Sequence, residues 1–204
     1  MIRLGGMKTP PLSVRTIEQR LARHRPLMRP GAPSEAAVAV ALRESREGPE
    51  VLLIRRAESP NDPWSGHMAF PGGRREPGDL SLQRTAERET FEELGLPLER
   101  YGKLAGHLDD VDAIARGRSV GMIIRPHVYS LIEPPELQLN PAEVAEAIWA
   151  PIAPMMEGKL DTVRPYRIGG REIDFPAYDL DGRLVWGLTY HMLQTLFSIC
   201  RLNP

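Results

Sequence analysis

The stretch that decides the fold is the octapeptide RETFEELG at residues 88–95. Three of its residues, Glu89, Glu92 and Glu93, are glutamates that fall within five positions directly before a glycine. The preceding segment, DLSLQRTAE at 79–87, contains neither proline nor glycine, so it predicts a helix that ends at this glycine. Acidic groups at a helix C-terminus are unfavourable by about 0.3–1 kcal/mol each, because that end carries partial negative charge. Like charges four residues apart, as at Glu89 and Glu93, cost roughly 0.2–0.5 kcal/mol more.

A bound cation would compensate for this unfavourable charge. At about 100° per residue, Glu89 and Glu93 lie on one face of the helix, with Glu92 beside them. Carboxylate oxygens are the ligands that hard divalent cations such as Mg²⁺ and Mn²⁺ prefer. The alternative is a helix end whose acidic groups are simply solvated, which is the usual state of a run of charges. These eight residues alone leave both interpretations open.

The composition of the 204 residues indicates one globular domain, with or without appendages. The net charge of −1 gives no overall positive field for nucleic acid, and no run of about 18 apolar residues predicts a membrane span. The single cysteine, Cys200, excludes an internal disulfide and a cysteine-type zinc site. We therefore expect a cytoplasmic protein that binds neither nucleic acid nor a membrane. The N-terminal residues have no apolar secretory segment, although they leave a short organellar presequence open.

Hydrophobic periodicity predicts strands interspersed with helices. The first helix is expected at 16–24 with Thr16 as its N-cap, followed by a proline-rich linker at 25–34. The further expected elements are a hairpin of strands at 36–43 and 50–56, a helix at about 80–94, strands at 103–108 and 120–132 joined by a loop at 109–119, a turn or short helix and then a strand within 141–152, a hairpin at 166–180, and a C-terminal helix at 189–200. This order predicts an α/β or α+β sandwich, in which helices cover one sheet.

The segment FPGG at 70–73 puts two glycines just before the acidic helix, where they allow the backbone to approach a ligand closely. Together with that helix it forms the string GGRREPGDLSLQRTAERETFEELGL at 72–96, which resembles the signature of the Nudix hydrolases. The positions that carry the resemblance are Gly73, Asp79, Arg88, Glu89, Glu92, Glu93, Gly95 and Leu96. Two features depart from the family pattern. The first acid is Asp79 rather than the usual glutamate, and the spacer to Arg88 is eight residues, one more than the commonest form.

The resemblance implies a Nudix-type α/β/α sandwich with a mixed central sheet. It would be formed by residues 35–204, and residues 1–34 would be an N-terminal extension with a short helix and a linker. The expected cofactor is Mg²⁺ or Mn²⁺. Its implied ligands are Glu89, Glu92, Glu93 and the carbonyl oxygen of Gly72.

The resemblance also implies roles in catalysis. Arg88 would orient a glutamate through a charge-assisted hydrogen bond. The general base is left open between Glu92 and a distal acid, Glu143 or Glu146. The reaction of the family is the hydrolysis of a nucleoside diphosphate linked to another moiety, so the expected partner is a small nucleotide.

Three further segments are similar to the coenzyme A pyrophosphatase branch of the family: VLLIRRAESPNDPWSGHMAFPGG at 51–73, LNPAEVAEAIWAPI at 139–152 and LVWGLTYHML at 184–193. Trp64 and His67 depart from that branch, which usually has a histidine before Ser-Gly and an acid or amide after it. The branch implies cleavage of coenzyme A or acyl-coenzyme A to 3′,5′-ADP and 4′-phosphopantetheine. The alternatives are hydrolysis of ADP-ribose, a dinucleoside polyphosphate or another nucleotide sugar, and a non-catalytic Nudix binding module.

Basic residues near the glycines are candidates for binding the substrate phosphates, since arginine matches the geometry of phosphate oxygens. Arg56 is favoured, because the branch has a basic residue there, and Arg74 is the second candidate. Trp186 is expected either in the core or stacked on an adenine. The sequence leaves a homodimer open.

Overall fold

A computed structural model describes residues 12–60, 64–115, 118–168 and 170–201; the first eleven residues of the expected N-terminal extension lie outside this part of the chain. The helices are α1 (Val14–Leu21), α2 (Leu82–Leu94), α3 (Leu98–Tyr101), α4 (Ile152–Met156) and α5 (Gly187–Arg201). The strands are β1 (Ser34–Ser45), β2 (Gly48–Arg56), β3 (Met68–Ala69), β4 (Gly72–Arg74), β5 (Gly102–His107), β6 (Val111–Ala115), β7 (Arg118–Leu131), β8 (Val144–Pro151), β9 (Asp161–Ile168), β10 (Arg171–Leu180) and β11 (Arg183–Trp186).

Eight of the strands form a mixed sheet. Its main order is β3-β2-β1-β7-β5, with β4 also paired to β1, β6 to β7 and β8 to β2. The β1–β7 pair is parallel and the other pairs are antiparallel. The remaining strands form a separate antiparallel sheet in the order β11-β10-β9. The expected mixed central sheet with helices is confirmed.

Alternate residues of β1 face opposite layers, as the pleat of a strand requires. Ala37, Ala39 and Ala41 belong to the core cluster that α2 and α3 cover, whereas Val40 and Leu42 belong to the cluster that α1, α5 and the small sheet cover. The central sheet is therefore buried on both faces, which gives the α/β/α sandwich. The small alanine side chains leave room for α2 to lie close to the strand.

The described part of the N-terminal segment packs against this sandwich. Val14, Ile17 and Leu21 of α1 are buried in the same cluster as α5. The linker that follows is tied down by hydrogen bonds from the N–H of Leu27 to Asp109 and of Arg29 to Asp110. The domain boundary at residue 34 stays a prediction.

Two local expectations are wrong. The N-cap of the first helix is Ser13, whose hydroxyl accepts the N–H of Thr16, so the helix begins earlier than the expected Thr16 cap. The expected loop at 109–119 contains β6, which makes a hairpin with β7. Its residues 116–117 lie outside the described residues, as does Gly169 of the hairpin at 166–180, whose two strands are confirmed.

No helix in the described ranges combines the length and the apolar character that crossing a membrane requires.

His127 is a buried polar residue in the middle of β7. Only 5% of its surface is exposed, and its Nδ1 has no hydrogen-bond partner among the described residues. The ring of His107 lies 5.9 Å away, and the Arg125–Asp110 ion pair is nearby. Burial, followed by the charges of His107 and Arg125, lowers the pKa of His127 from 6.5 to about 4.

We predict that this histidine makes folding sensitive to mild acid. Between the ordinary pKa and the lowered one, the unfolded chain binds a proton at this histidine that the native state does not, so the contribution of His127 to stability is complete above pH 6.5 and falls as the pH drops toward 4. The expected loss is on the order of 2–4 kcal/mol. Urea unfolding across this range checks it. The stability of His127→Gln relative to the wild type should therefore rise as the pH falls from 6.5 toward 4, whereas the difference between His191→Gln, at an exposed site on α5, and the wild type should not change with pH.

Candidate active site

The acidic octapeptide lies at the end of α2, as expected. The helix begins after the N-cap Ser81, whose side chain accepts the N–H of Arg84, and ends at Leu94. Gly95 adopts the left-handed conformation with φ of 62° and donates its N–H to the carbonyl of Phe91. The last turn contains no basic residue. The unfavourable charge inferred from the sequence is therefore present in the structure.

Two glycines bring the backbone into contact with these acids. Gly72 has a φ of +148°, and a Cβ there would lie 2.3 Å from the carbonyl oxygen of Ala37. Its N–H donates to Oε2 of Glu93 at 2.8 Å. A Cβ on Gly73 would lie 2.4 Å from the carboxyl carbon of Glu89. Residue 72 thus requires glycine for the close pairing of β4 with β1, whereas a side chain at residue 73 would have to displace the carboxylate of Glu89.

Glu93 is the most deeply buried of the three glutamates, with 1% of its surface exposed. Burial raises its pKa to about 8, although the N–H of Gly72 and the guanidinium of Arg56, whose Nη1 lies 3.9 Å from Oε1, act in the opposite direction. Burial also raises the pKa of Glu89. The charge of Glu143 makes a smaller contribution of the same sign to the pKa of both glutamates.

Arg88 is a cation that contacts several of the acidic side chains at once. It binds Asp79 through two hydrogen bonds, of 3.1 Å from Nε and 3.0 Å from Nη2, and these hold the pKa of Asp79 well below its usual range. Its Nη1 lies 2.9 Å from an oxygen of Glu89 and 2.9 Å from one of Glu92. The Nη2 group also donates to the carbonyl of Arg74 at 3.0 Å.

Asp79 fits its place although it is shorter than the usual glutamate. It is 9% exposed and accepts hydrogen bonds from the hydroxyl of Thr85 and the N–H of Glu76. These contacts close the turn that precedes α2. Most of the eight-residue spacer lies in the first turns of α2, and Arg88 reaches back from the helix to Asp79.

The predicted site residues lie around this cluster with different degrees of burial. The side chain of Glu92 is 48% exposed and contacts Arg88. Arg56 lies beside Glu93, and Arg74 is exposed near the glycines. The two arginines next to these candidates in the chain are engaged elsewhere: Arg55 pairs with Glu146, and Arg75 pairs with Glu35.

The two distal acids proposed as general bases, Glu143 and Glu146, have different surroundings. Glu146 accepts hydrogen bonds from Arg183 at 2.8 Å and Arg55 at 3.3 Å, and the contact with Arg183 is the main cause of its lowered pKa. These ion pairs commit Glu146 to linking the two sheets, which argues against a role as base. Glu143 is exposed and is oriented by the side-chain amide of Asn140 at 3.0 Å. Asn140 was not among the predicted site residues, although it begins the segment NPAEVAE that also contains Glu143.

The donor set fits a hard divalent cation by its chemistry. Among the described residues, no three acidic, histidine or cysteine side chains are already arranged as a metal centre. The reason is visible in the contacts, since Arg88 draws Glu89 and Glu92 toward itself while Gly72 holds Glu93. The oxygens are of the type that Mg²⁺ prefers, and burial raises the pKa of both Glu89 and Glu93, so a cation bound there would favour their charged forms.

Comparison with known proteins agrees with this geometry. The NUDIX domain family model matches residues 33–167. Human mitochondrial coenzyme A diphosphatase NUDT8 is 30% identical over 176 residues, which cover 84% of this chain and 71% of the human protein. The uncharacterized protein C14C4.10c of Schizosaccharomyces pombe is 35% identical over 157 residues, or 68% of this chain. The match covers 48% of the yeast protein, so the chain spans about half the length of that relative.

A solved structure shows the same fold. A binary complex of the Ap4A hydrolase of C. elegans superposes with a TM-score of 0.50 over 61% of this chain and 84% of that protein, at 22% identity. The family match covers more than half of the chain and includes the glycines, Arg88 and the three glutamates. The chain belongs to the Nudix hydrolase family.

We predict that Gly73→Ala disrupts the acidic cluster. The added methyl group must displace the carboxylate of Glu89, because backbone on either side of residue 73 is fixed by pairing with β1. The expected result is a roughly 10–100-fold loss of Mn²⁺ affinity, measured by calorimetry, as is typical when the support of a metal ligand is altered. Gly78→Ala is the matched control, since a Cβ there meets nothing within 4 Å. Equal affinity of the two variants would contradict the prediction.

We also predict that divalent cations order the end of α2. Their removal by a chelator should speed amide hydrogen exchange at residues 89–95 more than in the first turn of the helix, because the carboxylates then repel one another without compensation. Addition of Mg²⁺ at about 100 times its dissociation constant should stabilise the fold by about 2.7 kcal/mol. Exchange mass spectrometry and thermal unfolding measure the two effects. A chelator effect spread evenly over α2 would count against this prediction.

Proposed function

We propose that the protein hydrolyses the pyrophosphate bond of coenzyme A or acyl-coenzyme A, giving 3′,5′-ADP and 4′-phosphopantetheine or its acyl form. The observation that carries this proposal is the similarity to human mitochondrial coenzyme A diphosphatase over 84% of the chain. The buried acidic cluster beside Arg56 supports it, since that cluster is suited to a reaction at a phosphate anhydride.

In this proposal Glu89, Glu92, Glu93 and the carbonyl oxygen of Gly72 hold Mg²⁺ or Mn²⁺. When bound, the cation would neutralise phosphate charge and lower the pKa of a coordinated water. Glu93 is fixed for this role by the N–H of Gly72. Arg88 positions Glu89 and Glu92 and is itself anchored by Asp79.

The proton of the attacking water requires a base that is close and not neutralised by an ion pair. Glu92 contacts Arg88, whereas Glu143 is oriented by Asn140 and its charge acts on both Glu89 and Glu93. We therefore favour Glu143 as the base and assign Glu92 to holding the cation. Kinetics of Glu143→Gln and Glu92→Gln, measured as a function of pH, distinguish the two, because loss of the base removes the acidic limb of the profile.

The substrate phosphates would be met by two arginines. Arg56 reaches the site from the end of β2, and Arg74 lies exposed just after the glycines. Both can offer the paired N–H donors that phosphate oxygens accept. A cytoplasmic location stays a prediction, as does a homodimer, and the human relative is named as mitochondrial.

The first test is a comparison of substrates. Purified protein with Mg²⁺ or Mn²⁺ is expected to release 3′,5′-ADP from coenzyme A with a higher kcat/KM than it shows for ADP-ribose or diadenosine polyphosphates. Chromatography of the products measures this directly. Turnover of ADP-ribose without release of 3′,5′-ADP would overturn the proposed substrate and leave a different Nudix hydrolase. Absence of turnover with all of these substrates would favour a binding module.

The second test addresses the acidic cluster. Glu93→Gln should lower kcat by more than the roughly 10–100-fold that changes around metal ligands cause, since it removes an oxygen donor and its charge. Glu99→Gln is the matched control, because that glutamate is exposed and contacts Arg84 away from the cluster. Unchanged turnover and unchanged Mg²⁺ dependence in Glu93→Gln would exclude this cation site.

A further inference from the structure

One face of the small sheet carries a group of aromatic residues and an arginine. Arg164 and Tyr166 are two residues apart on β9 and therefore point to the same side. Phe175 on β10 is the cross-strand partner of Arg164, and Trp186 is the last residue of β11. Cross-strand partners point to the same side of a sheet, so these four side chains share one face. Trp186 is central, with ring centroids 5.1 Å from Tyr166 and 5.9 Å from Phe175. We call these four residues the aromatic face.

The aromatic face adjoins the acidic cluster through His67. The ring of His67 lies 4.9 Å from that of Trp186, and its backbone carbonyl accepts the N–H of Arg56 at 3.0 Å. Arg56 in turn lies beside Glu93. The hydroxyl of Thr189 donates to the carbonyl of Met68 at 3.0 Å, which ties α5 to β3 directly after His67. A ligand that extends from the acidic cluster past His67 would therefore meet the aromatic face.

One end of the aromatic face is buried, and the other end is exposed to solvent. Ala177, the cross-strand partner of Trp186, is 1% exposed. Ile173, the partner of Tyr166, is 45% exposed. A core cluster would be covered throughout, whereas here apolar surface is accessible beside a tyrosine ring. Such a surface suits a planar group such as a nucleobase, since every base has a flat face that can stack on an aromatic side chain.

Arg164 adds a positive charge to the aromatic face. Its guanidinium carbon lies 4.5 Å from the ring centre of Trp186. No carboxylate within the described ranges of the chain pairs with it, in contrast to Arg55 and Arg183, which share Glu146. An arginine stacked on an indole keeps its N–H donors directed outward and loses little conformational freedom when it binds an anion.

We propose that the aromatic face binds the nucleoside end of the substrate. Arg164 pairs with a phosphate that is not part of the scissile pyrophosphate, and the base lies against Tyr166 and Ile173. This inference rests on the proposed function, because coenzyme A carries such a phosphate at the 3′ position of its adenosine. A stacking surface together with one unpaired cation matches a phosphorylated purine nucleoside better than the flexible, uncharged pantetheine arm.

The kinetic test compares Arg164→Gln with Arg167→Gln. Arg167 is exposed on the opposite face of the same strand and lies across from Glu172, so its replacement controls for loss of a charge on β9. Arg164→Gln should raise KM for coenzyme A about tenfold or more, the size of one charge-assisted hydrogen bond, with a much smaller change in kcat. The preference of the wild type for coenzyme A over dephospho-coenzyme A should disappear. Arg164→Lys should retain part of it.

A binding measurement separates this inference from the proposed function. Calorimetry with 3′,5′-ADP and with 5′-ADP requires no turnover, and the wild type should bind the first about tenfold more tightly. If the wild type does not cleave coenzyme A but Arg164→Gln loses this difference, the proposed function fails and the aromatic face is upheld. If coenzyme A is cleaved and Arg164→Gln matches Arg167→Gln in both assays, the inference is overturned. A lowered melting temperature with unchanged KM would make Arg164 a packing residue and would overturn it as well.

Discussion

The bond from the N–H of Gly72 to the carboxylate of Glu93 is the contact on which the site depends. It joins β4 to the last turn of α2 across a distance of 2.8 Å, with both groups buried. One N–H and a guanidinium at 3.9 Å do not replace the lost water, so the pKa of Glu93 rises. The packing that fixes the position of the Glu93 carboxylate therefore also removes water that would stabilise its negative charge. The alanines of β1 make this packing possible, because a larger side chain at Ala37 or Ala39 would push α2 away from the sheet.

A single arginine, Arg88, contacts several carboxylates, so the acidic cluster keeps a net negative charge. Arg88 forms its two-pronged contact with Asp79 and only single contacts with Glu89 and Glu92. The pKa of Asp79 falls far while that of Glu89 remains raised, so the stabilisation goes to the structural acid. Asp79 closes the turn before α2 through Thr85 and the N–H of Glu76, and in doing so it fixes Arg88. The aspartate side chain is long enough here, since both of its carboxylate oxygens accept hydrogen bonds from Arg88.

The features that could be predicted from the sequence are those determined by residues close together in the chain. The bounds of α2 follow from a cap at Ser81 and a left-handed glycine at Gly95, and the glutamates at helical spacing locate the acidic cluster. Pairings across long separations could not be predicted from one sequence. Glu146 looked as suitable for a base as Glu143, and only its contacts with Arg183 and Arg55, 37 and 91 residues away, show that it links two sheets. The strand β6 was missed because the charged residues around it, in the segment DDVDAIARGRS, gave a loop-like pattern, whereas pairing with β7 decides its conformation.

Adjacent residues at the end of β2 connect the two sheets to the site. Arg55 contacts Glu146, which also binds Arg183 of the small sheet, while Arg56 reaches Glu93 on the other side. Successive side chains of a strand point to opposite faces, so this dipeptide sets the small sheet and the acidic cluster in a fixed relation. The pairing of β2 with β8 shifts register between these two residues, where Arg56 also donates its N–H to His67. Because a slip of one residue would exchange the two arginines, the register of β2 determines both the charge beside Glu93 and the position of the aromatic face.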